Sequence, residues 1–539
     1  MQAQSIEIPF QDIDSIPLLI KDFLNHKLSD FSNYTFSLEN IKERIKEKKE
    51  AFSTEKRQIL SQVLAEQYQD FELTQAQTQN LEALKEADTF SITTGHQLNL
   101  FTGPSFFIYK ILQTIKTAEY LNQKLGEKVV PIFWMASEDH DFEEINHFKT
   151  PSHYYEFKAH SGGAVGRIKV EDQSFISEFE KEFKDTVFGT ELILWMKEAY
   201  AKGNTLSQAT RSIAQRLFAS YGLLCIDGDH PQLKQQMTNI FRDELLHQSL
   251  KRESQRLVDF LSQDYKKVQV NPRDINLFYL TNTRNRIELQ DENFKVVDTE
   301  LSFTKEEMLA ELSHPERISP NALMRPIYQE TVLPNLAYIG GNAEIMYWLE
   351  LKDYFQYLNL PYPILIPRNS MLFLTEKTVK KIHKLGLHIS DFFRNFAQVI
   401  SEQLLKNQPL DSLLKEKENA LKNLFDELKA KASLTDISFR NLLEAEEKRQ
   451  TKSFLRMQKR LLKAEKIKQN ERLEQLERLF LEVHPMQTWQ ERLINFSTFY
   501  ADEGQQWLKT CYEKMNVEQA ALIISSKPLA PTVWGTLRP

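Results

Sequence analysis

Five short runs of β-branched and apolar residues, bounded by turn residues, constrain this chain more than any other feature of it. They are TFSITTG (89–95), VVPIFWMA (129–136), GLLCIDG (222–228), LAYIGG (336–341) and PILIPR (363–368), and helical stretches separate them. Near-continuous apolar runs alternating with helices predict an α/β fold with a mostly parallel, doubly wound sheet. The intervals are unequal, about 85 residues between the second and third runs and more than 100 between the third and fourth. One crossover helix needs far less, so helical insertions are expected at about 150–220 and 230–335 of a core spanning 88–385. SGGAVGR (161–167) reads as a hairpin or loop in the first insertion.

The flanks differ in character. Residues 1–87 carry helical periodicity rich in Gln, Glu and Lys and are expected to form a helical lead-in. Between Pro409 and Pro485 there is neither Gly nor Pro, and charged residues interleave with Leu. Phe454, Met457, Leu461, Ala464 and Ile467, then Leu473, Leu476 and Phe480, recur at three-and-four spacing with one polar gap. That pattern predicts two long helices within 386–485, broken near 432–438 with Thr435 or Asp436 as cap, folded as a coiled-coil hairpin that pairs with a second copy. The last segment, 486–539, contains ALIISSKPLAP and is expected to return a strand to the core.

Composition removes several function classes. Hydrophobic residues at 41% and charged residues at 27% describe a folded chain in water, and no apolar run reaches 18. A formal charge of −7 has the wrong sign for a surface that tracks nucleic-acid phosphates. Cys225 and Cys511 stand far apart without CxxC or Cys/His spacing, so neither a disulfide framework nor structural zinc is expected. Neither secretion nor membrane insertion is signalled, and a reducing cytoplasm is the expected compartment.

Three segments carry chemistry. In TTGHQLNLFTGPSFFIYKILQTIK (93–116) a strand ends at Gly95, and Thr102-Gly103-Pro104 opens a helix. Ligands of open α/β sheets bind beyond the strands' carboxyl ends, where free N–H groups attract anions. His96 is then placed to steady charge on a phosphate or carboxyl oxygen, and Gln97 to donate to it; a plain β-to-α turn is the alternative. No GxxxxGK[ST] or GxGxxG pattern accompanies the segment. In SEDHDFEEINH (137–147) carboxylates and His140 follow a strand, which suits general acid/base work, charged-substrate binding or a hydrated Mg²⁺. Acidic residues at a helix start are also favoured by the dipole alone. In NALMRPIYQETVLPNLAYIGGNAEIMYWLELK (321–352) Arg325 is a fixed cation able to grip a carboxylate or phosphate in two-pronged fashion. Gly340 and Gly341 permit close approach of a ligand to the backbone, as a plain turn would also require.

Taken together, TGHQLNLFTGP with the following IYKI, PIFW with EDHDFEEIN, RPIYQE, YIGG with E..YW.ELK, and the Pro367-Arg368 pair resemble the bacterial cysteine ligases of bacillithiol synthesis. Those enzymes are assigned the addition of L-cysteine to glucosaminyl malate. Order and spacing agree along essentially the whole chain. The resemblance implies a Rossmann-like core related to nucleotidylyltransferases and a coiled coil that forms a homodimer. It places Gly95, His96, Gln97, Thr102, Gly103, Asp139, His140, Asp141, Glu144, Asn146, Arg325, Gln329, Glu344, Tyr347 and Trp348 on family motif positions. Asn342-Ala343 depart from the Pro-Gly of many relatives, and His147 falls outside the matched motif.

The reaction implied is amide formation between the cysteine carboxyl and an amino-sugar amine. A free carboxylate is a poor electrophile, so activation by ATP, with Mg²⁺ as its companion, is the expected route. In that scheme the 95–103 loop holds phosphate and Arg325 grips a substrate carboxylate. Asp139, His140 and Asp141 bind the amine or take its proton. Two other classes stay open: a nucleotidylyltransferase on another acceptor, and a non-catalytic coiled-coil dimer that senses a metabolite.

Overall fold

The computed structural model describes residues 5–266, 268–432 and 436–527. All five sequence runs form strands: β1 (Thr89–His96), β2 (Lys128–Met135), β3 (Leu224–Asp227), β4 (Asn335–Gly340) and β5 (Ile364–Pro367). They make one parallel sheet in the order β5-β4-β1-β2-β3. Gly95 pairs with Trp134, and Phe133 with Cys225. Successive strands run outward from β1 to β2 and β3, and on its other side to β4 and β5. The order therefore reverses between β1 and β4, where an open α/β sheet leaves its crevice.

The core is apolar because strands covered on both faces tolerate little else. Phe90, Ile92, Val129, Leu336, Ile339 and Ile364 form one buried cluster. Ile41 and Ile45 of the helix Leu38–Ala51 belong to the same cluster, so the N-terminal helices are part of the core's packing. The chain also begins with a strand that helical periodicity did not suggest: Ser5–Pro9 pairs antiparallel with Ala521–Lys527. The expected C-terminal strand forms, but it is the middle strand of a separate three-stranded sheet, with this N-terminal strand on one side of it, and the parallel sheet keeps five members among the described residues.

The first insertion holds a hairpin, His147–Lys149 with Tyr154–Glu156, and three helices between Ser174 and Phe218. SGGAVGR is a loop with a single 3-10 turn, Val165–Arg167. The second insertion is less helical than expected, because alternating residues such as those of NRIELQ and NFKV present one apolar face. Leu277–Leu280, Arg284–Gln290, Asn293–Val296, Ser302–Phe303 and Ile318–Pro320 form a five-stranded antiparallel sheet.

The described residues fall into two compact units: 5–11, 16–373 and 488–527 in the first, 12–15 and 374–487 in the second. In the second, α3 (Pro409–Ala432) runs antiparallel to α4 (Ile437–Lys468), since Gln458 donates to Glu418 at 2.9 Å and Lys429 to Glu447 at 2.9 Å. Asp436 caps α4 by accepting from Phe439 N–H at 3.0 Å; Thr435 lies outside the described residues. The helix expected to run on through Phe480 breaks at Gln469, whose amide donates to Leu404 and Glu465, and α5 (Asn470–Val483) follows. The seam is also rotated from the sequence stripe. Glu465 is buried, whereas Met457 is 42% and Ile467 73% exposed.

Candidate functional site

A cavity of about 670 Å³ opens at the carboxyl ends of β1, β2 and β4, where the strand order reverses. Gly95, His96 and Gln97 enter it from the end of β1, and the acidic segment from the end of β2. Arg325, Gly341, Glu344 and Tyr347 enter from the segments around β4. The three chemistry-bearing segments thus converge within the first unit.

Gln97 ties two of them together, donating to Asp139 at 2.7 Å and to Glu144 at 3.0 Å. The other Asp139 oxygen accepts the His140 N–H at 2.7 Å. Asp139 is therefore a held acceptor, while Asp141, whose side chain is 57% exposed, faces the opening.

Glycine at position 95 has a packing reason. A Cβ there would lie 3.1 Å from Arg325 Nη1 and 3.3 Å from the Tyr338 hydroxyl. Arg325 is held by Gln329 at 3.0 Å and lies over the Tyr338 ring, 5.5 Å from its centre. Burial opposes its charge, but Tyr338, Tyr347 and Glu344 outweigh that and hold the guanidinium firmly protonated.

Glu344 has a different role from the ligand contact its position suggests. Its two oxygens accept from Lys110 at 2.6 Å each, and it caps its helix (α2, Asn342–Leu349) by accepting the Gly341 N–H at 3.0 Å. Burial raises its carboxyl, yet Lys110 and Tyr338 hold it below the ordinary value. Lys110, the lysine of the IYKI motif but not one of the candidate site residues, is 1% exposed and also donates to the Gly95 carbonyl.

His96 corrects the expected charge role. Burial and the nearby Lys110 lower it to about 3, so the ring is neutral at physiological pH and cannot steady an anion by charge. It packs edge-on against Phe106, and its buried Nε2 has no partner among the described residues, which leaves it one neutral hydrogen bond to offer a ligand.

Thr102 and Gly103 stand outside the cavity lining. Asn495 donates to the Phe101 carbonyl at 2.8 Å and to the carbonyl of Gly103 itself, and a Cβ on Gly103 would strike Asn99 Cβ at 2.7 Å. The far half of the 95–103 loop is plugged by protein, and helix α1 (Phe106–Lys124) starts two residues beyond the expected Pro104. Asn146 is tied to His147, Gln329 and Trp348 are fully buried, and Trp348 stacks on Tyr338 with ring centres 4.5 Å apart. Gly340 lies in strand β4 against Tyr338, and only Gly341 of that pair lines the cavity.

Several lining residues were not among the candidate site residues, although Glu138 and Arg368 lie in the quoted motifs. Arg284 and Arg286 come from the inserted sheet, and their spacing of two on one strand is a signal that was available. Glu138 is buried beside Lys234 at 2.5 Å; burial raises its carboxyl. Arg368 closes β5 and pairs with Glu491 at 2.7 Å, and Arg492 arrives from beyond the coiled coil. With Arg273 and Arg325 the lining holds six arginines against four carboxylates, reversing the sign of the whole chain. Such a lining favours anionic ligands while keeping acceptors for a cationic group. Among the described residues no three His, Cys, Asp or Glu side chains cluster as a metal site requires, and no helix is long and apolar enough to cross a membrane.

Comparison with known proteins matches residues 1–369 to the family model described as bacillithiol biosynthesis BshC, N-terminal Rossmann-like domain. Residues 371–525 match bacillithiol biosynthesis BshC, C-terminal coiled-coil domain. A Flavobacterium johnsoniae protein named "Putative cysteine ligase BshC" is 39% identical over 514 residues, covering 94% of this chain and 97% of its own length. Proteins of the same name from Cytophaga hutchinsonii and Bacillus cereus are 34% and 27% identical. They cover 94% and 95% of this chain, and 96% and 98% of their own lengths.

Proposed function

The chain belongs to the BshC family of bacillithiol biosynthesis, and from that premise we propose that it joins the carboxyl of L-cysteine to the amine of glucosaminyl malate. The observation that carries this reading is the cavity at the strand-order reversal, which arginines and the Asp139 and Asp141 acceptors line together. One reactant brings carboxylates and the other presents an amine, so both signs of charge are needed side by side.

Arg325 holds a substrate carboxylate, its fork kept in place by Gln329 and Tyr338. Asp139 and Asp141 receive the ammonium and remove its proton when the nitrogen attacks. ATP, with Mg²⁺, supplies the activation that a free carboxylate lacks. The cavity is large enough to admit a nucleotide's phosphates, and the unpartnered His96 Nε2 offers them a neutral contact. In this reading the enzyme works in the cytoplasm as a homodimer through the coiled coil. The exposed Leu413, Met457 and Ile467 on α3 and α4 support a partner surface there.

The test is mass spectrometry of the purified chain with cysteine and glucosaminyl malate, with and without ATP and Mg²⁺. Cysteinyl product formed only with ATP is the expected result, and product without ATP removes the activation step. No product under any condition, from protein shown to be folded, overturns the reading. Asp141→Asn should lower turnover by about 10² or more, as loss of a general base does.

A further inference from the structure

Arg284 opens the strand Arg284–Gln290 of the inserted sheet and reaches the cavity with 8% of its surface exposed. Its guanidinium is fixed on three sides. Nε donates to Ser319 Oγ at 2.9 Å, Nη2 to the Pro320 carbonyl at 2.7 Å, and the plane lies 4.0 Å over the Phe278 ring. The remaining nitrogen, Nη1, stands 2.9 Å from His140 Nδ1.

A guanidinium has five N–H donors and no acceptor, so in this contact Nδ1 accepts. A neutral imidazole that accepts at one nitrogen carries its hydrogen on the other. We infer that Arg284 is a positioning residue that fixes His140 as the Nε2–H tautomer, so that His140 offers the cavity a hydrogen-bond donor and leaves proton acceptance to the neighbouring aspartates. The surroundings agree. His140 Nε2 lies 4.0 Å from Asp141 Oδ1, beyond hydrogen-bond reach, and its hydrogen is left for a ligand oxygen. Asp139 Oδ1 is 3.7 Å from Nδ1 and is occupied by backbone N–H groups. Asp141, the more exposed of the two, is the acceptor with capacity to spare.

The consequence for chemistry rests on the amide-forming reading. As the amine nitrogen bonds to the activated acyl carbon, the bond from that carbon to its phosphate or adenylate leaving group breaks. The nitrogen's proton passes to the Asp141 carboxylate. His140 Nε2–H meanwhile donates to the acyl oxygen that gains negative charge.

The tautomer is measurable without any substrate. Nitrogen-15 NMR of the full chain labelled at histidine, with His140 assigned by its loss in His140→Asn, should show hydrogen on Nε2 and a bare Nδ1 in the neutral ring. In Arg284→Met the same ring should show a mixture of tautomers. Turnover with cysteine and glucosaminyl malate should fall by about 10²-fold in Arg284→Met with KM changed less than about threefold, and Arg284→Lys, also a pure donor, should recover part of it. Hydrogen on Nδ1 in the wild-type spectrum overturns the inference, as does a folded Arg284→Met with unchanged tautomer and turnover. Should Arg284→Met fail to fold, the wild-type spectrum and Arg284→Lys decide. Should the wild type form no product, the functional reading fails while the spectrum still decides the tautomer.

Discussion

Replacing Glu344 by Gln removes one charge from the cavity wall and little else. The amide oxygen can still accept from the Gly341 N–H, and the amide nitrogen then stands where the second carboxylate oxygen accepted from Tyr338 and can donate to that hydroxyl instead. Lys110, 1% exposed, is left with the Gly95 carbonyl and no anion. Stranding one member of a buried pair costs about 3–5 kcal/mol; the Glu344 side chain is 25% exposed, which places the expected loss near the lower end, about 3 kcal/mol. Lys110→Met should cost a similar amount. The double variant, with no stranded charge, should lose markedly less than the sum, by about 2–3 kcal/mol of coupling. Urea unfolding followed by tryptophan fluorescence reads this well, because Trp134, Trp195, Trp348, Trp489 and Trp507 all belong to the first unit. Glu344 is held below its ordinary 4.5, so the pair's contribution is fully present above that pH and is lost as pH falls through the lower folded value. Single-variant losses that add to within about 0.5 kcal/mol, or a wild-type advantage that persists unchanged at pH 2.5, would refute the buried-pair argument.

His96, lowered to about 3 from 6.5, stays neutral in the folded state while the unfolded chain protonates. Wild-type stability should therefore fall as pH drops from 6.5 towards 3, by at most about 1.4 kcal/mol per pH unit, and His96→Gln should flatten that slope in urea titrations. Gly95→Ala drives a methyl against Arg325 and Tyr338, so KM for the carboxylate substrate should rise and the urea midpoint fall by the equivalent of about 1–3 kcal/mol; unchanged values for both would contradict the close contact. Leu413→Glu combined with Ile467→Glu places charge on exposed apolar positions of α3 and α4, and light scattering should report a monomer with unaltered helical content. Retention of a dimer would place its interface elsewhere.

Much of the site was legible because its chemistry lies in contiguous segments. TTGHQ, SEDHD and YIGG each sit at a strand end, and strand ends can be read from where an apolar run meets its turn residue. Roles were less legible than positions. Glu344 and His96 occupy motif positions, yet one is consumed by Lys110 and the other is buried to neutrality, and neither fact has a local sequence signal. Thr102 and Gly103 resemble a phosphate loop until Asn495, nearly 400 residues later, fills it. The coiled-coil stripe shows the same limit, since three-and-four spacing gives helix and face but not which of two adjoining faces meets the neighbouring helix.

The five core strands, the antiparallel pair of long helices and the doubly wound class follow from the sequence alone, because periodicity and turn chemistry act over a few residues. The arginine-rich lining was decided by tertiary structure. Arg284 comes from an inserted antiparallel sheet, Arg368 from the last core strand and Arg492 from beyond the coiled coil. Only folding brings those charges into one partly desolvated space, where separation and burial set what each can bind or donate.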